Sequence, residues 1–451
     1  MTKSSSKKTS AKKASTRKTS AKKSTARKTG AKKSTARKTS AKKPSTRKTS
    51  TKRSLTGTSR RRASSSSSKR QQGNRNRILA IAAVVIPVLL AGYYLMTGND
   101  LLELFGQQES AAPPDIVGSG GDWWQVYFSD PQNVNDPTDL TGSMPQELIA
   151  YIDAAQNTIH IASFEFNLTP VAEALIAAHQ RGVEVKWVTD DEHGLEADEE
   201  DDHGQFAMLE QAGIEIKGDG RSALMHDKFW IFDNQRVWTG STNITSNGNF
   251  RNNNNVIIIE SPQVAAIYER EFAEMWAGEF GPTSSSTVDD QTVTLDGTRV
   301  QVLFAAEDEV VSQLVPLIEG AQNNIRFMAF SFTHDDLGAA VLARAEAGVD
   351  VQGIFETRGS ETQYSEMPAL YCAGVPVRQD GNPGTFHHKV FVIDDQILVT
   401  GSLNFSNNAD NSNDENVVVI TNSDIAAQYL LEFERRWPEA TEPDAEDMNC
   451  D

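Results

Sequence analysis

Apolar positions recur along the chain in two rhythms. "IDAAQNTIHIASFEF" (Ile152–Phe166) passes from helical spacing to alternation of period two, and "IEGAQNNIRFMAFSF" (Ile318–Phe332) repeats the change. A second unit follows each: "PVAEALIAAHQRGVEVKWV" (Pro170–Val188) and "DLGAAVLARAEAGVDVQGIF" (Asp336–Phe355), where a helical stretch closes on Gly and a β-rich run begins. "QAGIEIKGDG" from Gln211 and "CAGVPVRQDG" from Cys372 add a third strand to each. This alternation predicts an α/β fold in which each half is a sheet flanked by helices. The repetition predicts two halves in a pseudo-two-fold arrangement. "GPTSSSTVDDQ" from Gly281 divides them, so the expected halves are residues 121–281 and 296–440, with a linker at 282–295 and an acidic tail at 441–451.

The N-terminal part follows neither rhythm. Residues 1–77 contain a decapeptide array ("AKKSTARKTS" and its variants) and hold 28 of the chain's 44 Lys and Arg with no acid. Such a segment cannot bury a core and is expected to be disordered. Its charge suits a polyanion, either nucleic acid or anionic lipid; the plainer reading is a solvated spacer that fixes membrane topology. "ILAIAAVVIPVLLAGYYLM" (Ile78–Met96) carries no charge over 19 residues. As a helix it would rise about 28 Å, enough to span a bilayer. A transmembrane helix is therefore expected over 78–97, followed by a linker at 98–120. The basic flank places the tail in the cytoplasm and the body outside. Beyond residue 77, 16 basic residues face 61 acids, a net charge of −45. Two cysteines exclude a disulfide framework or a zinc site. Cys372 is expected as a buried free thiol with Cys450 incidental; a disulfide between them is the alternative for an exported body.

The polar residues that break the pattern also occur twice. "MHDKFWIFDN" (225–234) and "FHHKVFVIDD" (386–395) share His, one residue, Lys, four residues, Asp. Period two puts His226 with Lys228, and His387 with Lys389, on one strand face, leaving His388 on the other. Asp233 and Asp394 fall where a turn begins. "VWTGSTN" and "LVTGSLN" then return as a second strand, bringing Ser241, Asn243, Ser402 and Asn404 alongside. Lys and Asn suit phosphate oxygens, and imidazole is a nucleophile or proton donor near neutrality. If the halves face each other, two imidazoles meet over one phosphate, one to attack and one to protonate the leaving oxygen.

"HDKFWIFDNQRVWTGSTN" and "HHKVFVIDDQILVTGSLN" resemble the HxK(x)4D(x)6GSxN signature of the phospholipase D superfamily, over about residues 121–440. The resemblance implies a double α/β sandwich and a covalent phosphohistidine formed without metal or cofactor. It also implies hydrolysis of phosphodiesters or transfer to another alcohol. Carried over, His226, Lys228, Asp233, His387, Lys389 and Asp394 are the catalytic motif residues, with His226 the nucleophile and His387 the acid and base. Lys228, Lys389, Asn243 and Asn404 would hold phosphate, with Ser241 and Ser402 among the phosphate-binding groups. Asp233 and Asp394 are expected to brace the motifs. A polar residue behind each His would orient it: Glu415 of "NDENVVVI" behind His387 and Asn254 of "NNNNVIII" behind His226. The acidic stretch "DDEHGLEADEEDDHG" (Asp190–Gly204) is expected as a solvated loop near the site rather than a calcium loop. Trp123 and Trp124 would touch lipid or pack in the core.

Three readings follow: a phospholipase D acting on membrane lipid, a nuclease of the same superfamily, and a non-enzymatic anchor. The third leaves two intact motifs unexplained. The acidic body disfavours nucleic acid, and a membrane-held enzyme favours phospholipid, yielding phosphatidate and a free headgroup. Cardiolipin-synthase-like transfer is the lesser alternative, because that group typically has two preceding membrane helices and GGxN in its first motif. With both motifs in one chain, the catalytic unit is expected to be monomeric.

Overall fold

The computed structural model describes residues 120–131, 139–284 and 291–450. The expected basic tail (1–77) and transmembrane helix (78–97) lie outside them, as does nearly all of the 98–120 linker. Among the described residues, no helix is long and apolar enough to cross a membrane.

Two mixed sheets form the body. The first holds β1 (Trp124–Phe128), β2 (Thr158–Ser163), β3 (Glu184–Thr189), β4 (Glu215–Gly218), β5 (Lys228–Phe232), β6 (Arg236–Gly240) and β7 (Asn255–Glu260) in the order β1-β7-β6-β5-β2-β3-β4. The second holds β8 (Thr292–Leu295), β9 (Thr298–Ala305), β10 (Asn324–Ala329), β11 (Asp350–Phe355), β12 (Val377–Gln379), β13 (Lys389–Ile393), β14 (Ile397–Gly401) and β15 (Glu415–Thr421) in the order β12-β11-β10-β13-β14-β15-β9-β8. Strands joined through a helix run parallel (β2-β3-β4 and β10-β11-β12), and those joined by tight turns run antiparallel. β8 falls inside the expected linker: Thr292–Leu295 alternates apolar and polar and pairs with β9 along the sheet edge.

Strand alternation divides the core. On β5, Phe229 and Ile231 enter a central cluster that also takes Val390 and Val392 of β13, while Trp230 packs on the outer side of the first sheet. Helices Pro262–Ala277 and Ser423–Arg436 supply Tyr268, Phe272, Tyr429 and Phe433 to that central cluster, so both sheets share one core. Ser261 and Asn422 cap these helices, accepting from the N–H groups of Val264 and Ile425. Trp124 is buried in the same core and Trp123 packs partly against it, which decides for packing.

The turns after β5 and β13 are built on left-handed residues. Asp233 and Asn234 have φ of 52° and 53°, and Asp394 and Asp395 have 53° and 56°, as a type I′ hairpin turn requires. Asp233 also accepts hydrogen bonds from the N–H groups of Gln156, Asn157 and Thr158, and Asp394 from those of Gln322, Asn323 and Asn324. They sit at the far end of their strands from the histidines and hold backbone: of the two roles the signature gives them, catalytic motif residue and brace, the geometry is that of the brace. Asp394→Ala is expected to lower stability by about 1–3 kcal/mol in denaturant unfolding, with a far smaller effect on the turnover of folded protein.

The C-terminal residues are not a free tail. Thr441 pairs with Gln379, helix Ala445–Met448 buries Met448, and Cys450 is disulfide-bonded to Cys372. The expected free thiol is thereby corrected: seating Met448 in the core of the second half brings the two Cα atoms to 5.3 Å.

Candidate active site

Each His-x-Lys segment enters its strand by pairing with the opposite half. The N–H of His226 donates to the Asp414 carbonyl (2.9 Å), and that of His387 to the Asn253 carbonyl (2.9 Å), within short parallel bridges Met225–Asp414 and Asn253–Phe386. The two motifs therefore meet at the junction of the halves. His226 lies edge-on to Phe164 (4.8 Å) and His387 against Phe330 (4.9 Å). The same rings lie under the ammonium groups of Lys228 (5.0 Å) and Lys389 (4.8 Å). Each lysine also donates to the carbonyl of its own histidine. Neither phenylalanine was singled out from the sequence, although the repeated "SFEF" and "AFSF" put one in each half just past the end of β2 and of β10.

The orienting residues are crossed relative to expectation. His226 Nδ1 bonds Glu415 Oε2 at 2.7 Å, and His387 Nδ1 bonds Asn254 Oδ1 at 2.9 Å and the Ser241 carbonyl at 3.0 Å. Glu415 thus stands behind His226 and Asn254 behind His387. Within one sheet, β13 and β15 are separated by β14, so their backbones lie about 10 Å apart; across the junction the partner is adjacent. Ser241 and Ser402 are corrected as well. Their buried hydroxyls donate to Asn254 (2.7 Å) and Glu415 (2.7 Å) and accept from the N–H groups of Asn255 and Asn416, so they brace the orienting side chains rather than offer a phosphate ligand. Gly240 and Gly401 explain the preceding glycine. A Cβ there would lie 2.2 and 2.1 Å from the carbonyls of Asn255 and Asn416. The Asn243 amide donates to Glu165 at 2.9 Å, and the Oδ1 atoms of Asn243 and Asn404 are both buried without a partner.

Electrostatics make this a seat for an anion. Burial, then Lys228 and Lys389, holds the His226 imidazole well below its ordinary value; burial and the same lysines do so for His387. Burial pushes Lys228 down to about 8, and burial with Lys228 takes Lys389 well below the usual lysine range. Burial raises Glu415 to about 7. Burial and the neighbouring ammonium groups disfavour charge on both imidazoles and on Lys389, and a phosphate between them would relieve the repulsion. Each Nδ1 is tied to an acceptor, which leaves each Nε2 for chemistry.

Behind the strands the halves differ sharply. His388, fully buried on the opposite face, meets Asn255 (2.9 Å) and Glu432 (3.5 Å), and Glu432 pairs with Arg436. At the matching position Asp227 is buried with neither carboxylate oxygen hydrogen-bonded, and Glu271 takes the place of Glu432. Burial first, then neighbouring carboxylates, raises Asp227 and Glu271 well above the usual range, Glu307 to about 8 and Asp414 to about 7. Glu307 is protonated when folded and ionised when unfolded across this range, so its contribution to stability falls as pH rises from about 4.5 and is lost above about 8. Glu307→Gln is expected to shrink the drop in Tm between pH 5 and pH 8.5, measured by calorimetry.

The acidic stretch is ordered rather than merely solvated. Asp190 accepts from the N–H groups of Glu192, His193 and Met225, and Asp198 from those of Gly204, Phe206 and Ala207. Asp190, Asp191 and Asp219 bring a carboxylate oxygen each within 4.8 Å of one another and are the described group able to hold a metal. The donors already on Asp190 and Asp219, the latter bonded by the Asp191 N–H at 3.0 Å, account for these side chains without an ion.

The family described as "Cardiolipin synthase, PLD-like domain" matches residues 148–276 and again 314–437, one match per half. A mitochondrial cardiolipin hydrolase of Xenopus tropicalis is 36% identical over 132 residues, 29% of this chain and 63% of that protein. A phospholipase D of Rickettsia bellii is 29% identical over 136 residues, 30% of this chain and 68% of that protein. The chain thus spans about 63% of the hydrolase's own length. The solved structure of a phosphatidylserine synthase of Haemophilus influenzae superposes with a TM-score of 0.50 at 15% identity, covering 66% of this chain and 86% of that one. It shares the fold. With the family matched in both halves and a His-x-Lys motif in each match, the chain belongs to the phospholipase D superfamily.

Proposed function

We propose that the protein is a phospholipase D-type hydrolase that cleaves membrane phospholipid to phosphatidate and a free headgroup through a phosphohistidine. The crossed anchoring of the two imidazoles carries the reading. Each Nδ1 is tied to the opposite half, so both Nε2 atoms are turned to one anion-seeking site. His226 Nε2 attacks phosphorus and the bond to the leaving oxygen breaks, while His387, which takes up a proton when the anionic phosphate binds, gives that proton from Nε2 to the leaving oxygen. Water then attacks the phosphohistidine as neutral His387 takes the water's proton, and the N–P bond breaks. The imidazole phosphorylated at Nε2 still carries its Nδ1 proton and is cationic. The Glu415 carboxylate beside it stabilises that charge. His387, held by a neutral amide and a carbonyl, stays acidic enough to release its proton. Lys228, Lys389 and Asn404 hold the phosphate oxygens.

Lipid is favoured by the net charge of −45 beyond residue 77, which repels a polyanion, and by relatives named as a cardiolipin hydrolase and a phospholipase D. The basic tail favours a nuclease as the second reading. The Cys372–Cys450 bond suits an oxidising compartment and so an extracytoplasmic body, with residues 78–97 as the anchor and the tail facing anionic lipid or nucleic acid inside the cell. The test assays the full chain on phosphatidylcholine, cardiolipin and single-stranded DNA in EDTA. Release of phosphatidate is the expected result; a divalent-metal requirement would sink the mechanism, and cleavage of DNA alone would sink the lipid assignment.

A further inference from the structure

A cavity of about 240 Å³ abuts the His387 side of the site. Phe330, the ring in contact with His387, forms one wall; Ser331, Thr333, Ser360 and Ser365 line it, with Arg358 among its lining residues. Arg358 is two-thirds exposed yet held firmly. Its Nε donates to Glu356 (2.6 Å) and its NH2 group to the Thr385 hydroxyl (2.5 Å) and the Gly384 carbonyl (3.2 Å). Glu356 is buried and accepts from the N–H of Phe386, the residue before His387. The guanidinium is thereby tied to the catalytic backbone while a face stays open to solvent.

The other half carries a carboxylate at each matching place. Three residues past the end of β3 stands Glu192, where three past β11 stands Arg358; beside Phe164 stands Glu165, where beside Phe330 stands Ser331. In a body so acidic, a fixed arginine on one side and carboxylates on the other would orient an anionic substrate. We propose that this cavity is the seat of a second phosphate, carried by the leaving alcohol. The side is set by the chemistry: His387 protonates the leaving oxygen, so what lies beyond Phe330 belongs to the leaving group. Two sources share this chemistry, a lipid with two phosphates joined by glycerol and the next nucleotide of a nucleic-acid strand. The inference rests on the phosphodiesterase reading above.

The experiment measures kcat/KM of the full chain and of Arg358→Gln and Arg358→Lys on cardiolipin, on a single-stranded oligonucleotide and on bis(p-nitrophenyl) phosphate, which has one phosphate. Loss of a charge-assisted pair on a bound phosphate is expected to lower the ratio of two-phosphate to one-phosphate activity about tenfold to a hundredfold in Arg358→Gln. Arg358→Lys should recover part of it. The two-phosphate substrate whose ratio falls identifies the source. An unchanged ratio in Arg358→Gln would overturn the subsite and leave the phosphodiesterase reading standing. A wild-type chain inert on all three would overturn both.

Discussion

His226→Asn is expected to abolish hydrolysis, with kcat falling by about 10⁴–10⁶-fold and no covalent intermediate at any pH. The fold should survive. His226 is anchored by its backbone N–H to Asp414 as well as by its ring, and Asn keeps the former. His387→Asn should be as damaging on phospholipid, whose alkoxide needs a proton to leave. On bis(p-nitrophenyl) phosphate it should behave differently, because nitrophenolate leaves without one. Single-turnover and steady-state assays on both substrates, with thermal unfolding as the control, check the pair.

Glu415→Gln is expected to lower kcat about 10²–10⁴-fold. Glutamine can still accept from the His226 Nδ1–H and from Ser402, so geometry is retained and the charge is lost. The loss should appear in kcat rather than KM, because the carboxylate acts on the cationic phosphohistidine and not on bound substrate. Asn254→Asp probes the other side. A carboxylate beside His387 would raise its pKa, which burial and Lys389 hold well below the ordinary value. The alkaline limb of the pH–rate profile should then move upward. A downward move, or equal effects of the two substitutions, would show that the asymmetry has no catalytic meaning.

Much of this was legible in the sequence because the motif and the fold repeat together. The alternation around Thr158–Ser163 and Asn324–Ala329, the turns at Asp233 and Asp394, and the returning GSxN strands all follow from local pattern. What was not legible depends on the junction between the halves. "NDENVVVI" follows the second motif in the chain, so Glu415 reads as a partner of His387; only the Met225–Asp414 bridge delivers it to His226. The serines of the two GSxN motifs look like phosphate ligands until Asn254 and Glu415 are seen to accept their hydroxyl hydrogen bonds. The Cys372–Cys450 bond depends on helix Ala445–Met448 folding back, in a segment whose acidity reads as a solvated tail.

The division of labour between the two histidines is tested most directly by a burst experiment. Full-length His387→Asn protein is mixed with bis(p-nitrophenyl) phosphate, released nitrophenolate is counted per active site, and the trapped acid-labile phosphoryl group is mapped by peptide. About one equivalent released in a burst, followed by a stall, with the label on His226, is the expected result. A burst in His226→Asn instead, with the label on His387, would contradict it.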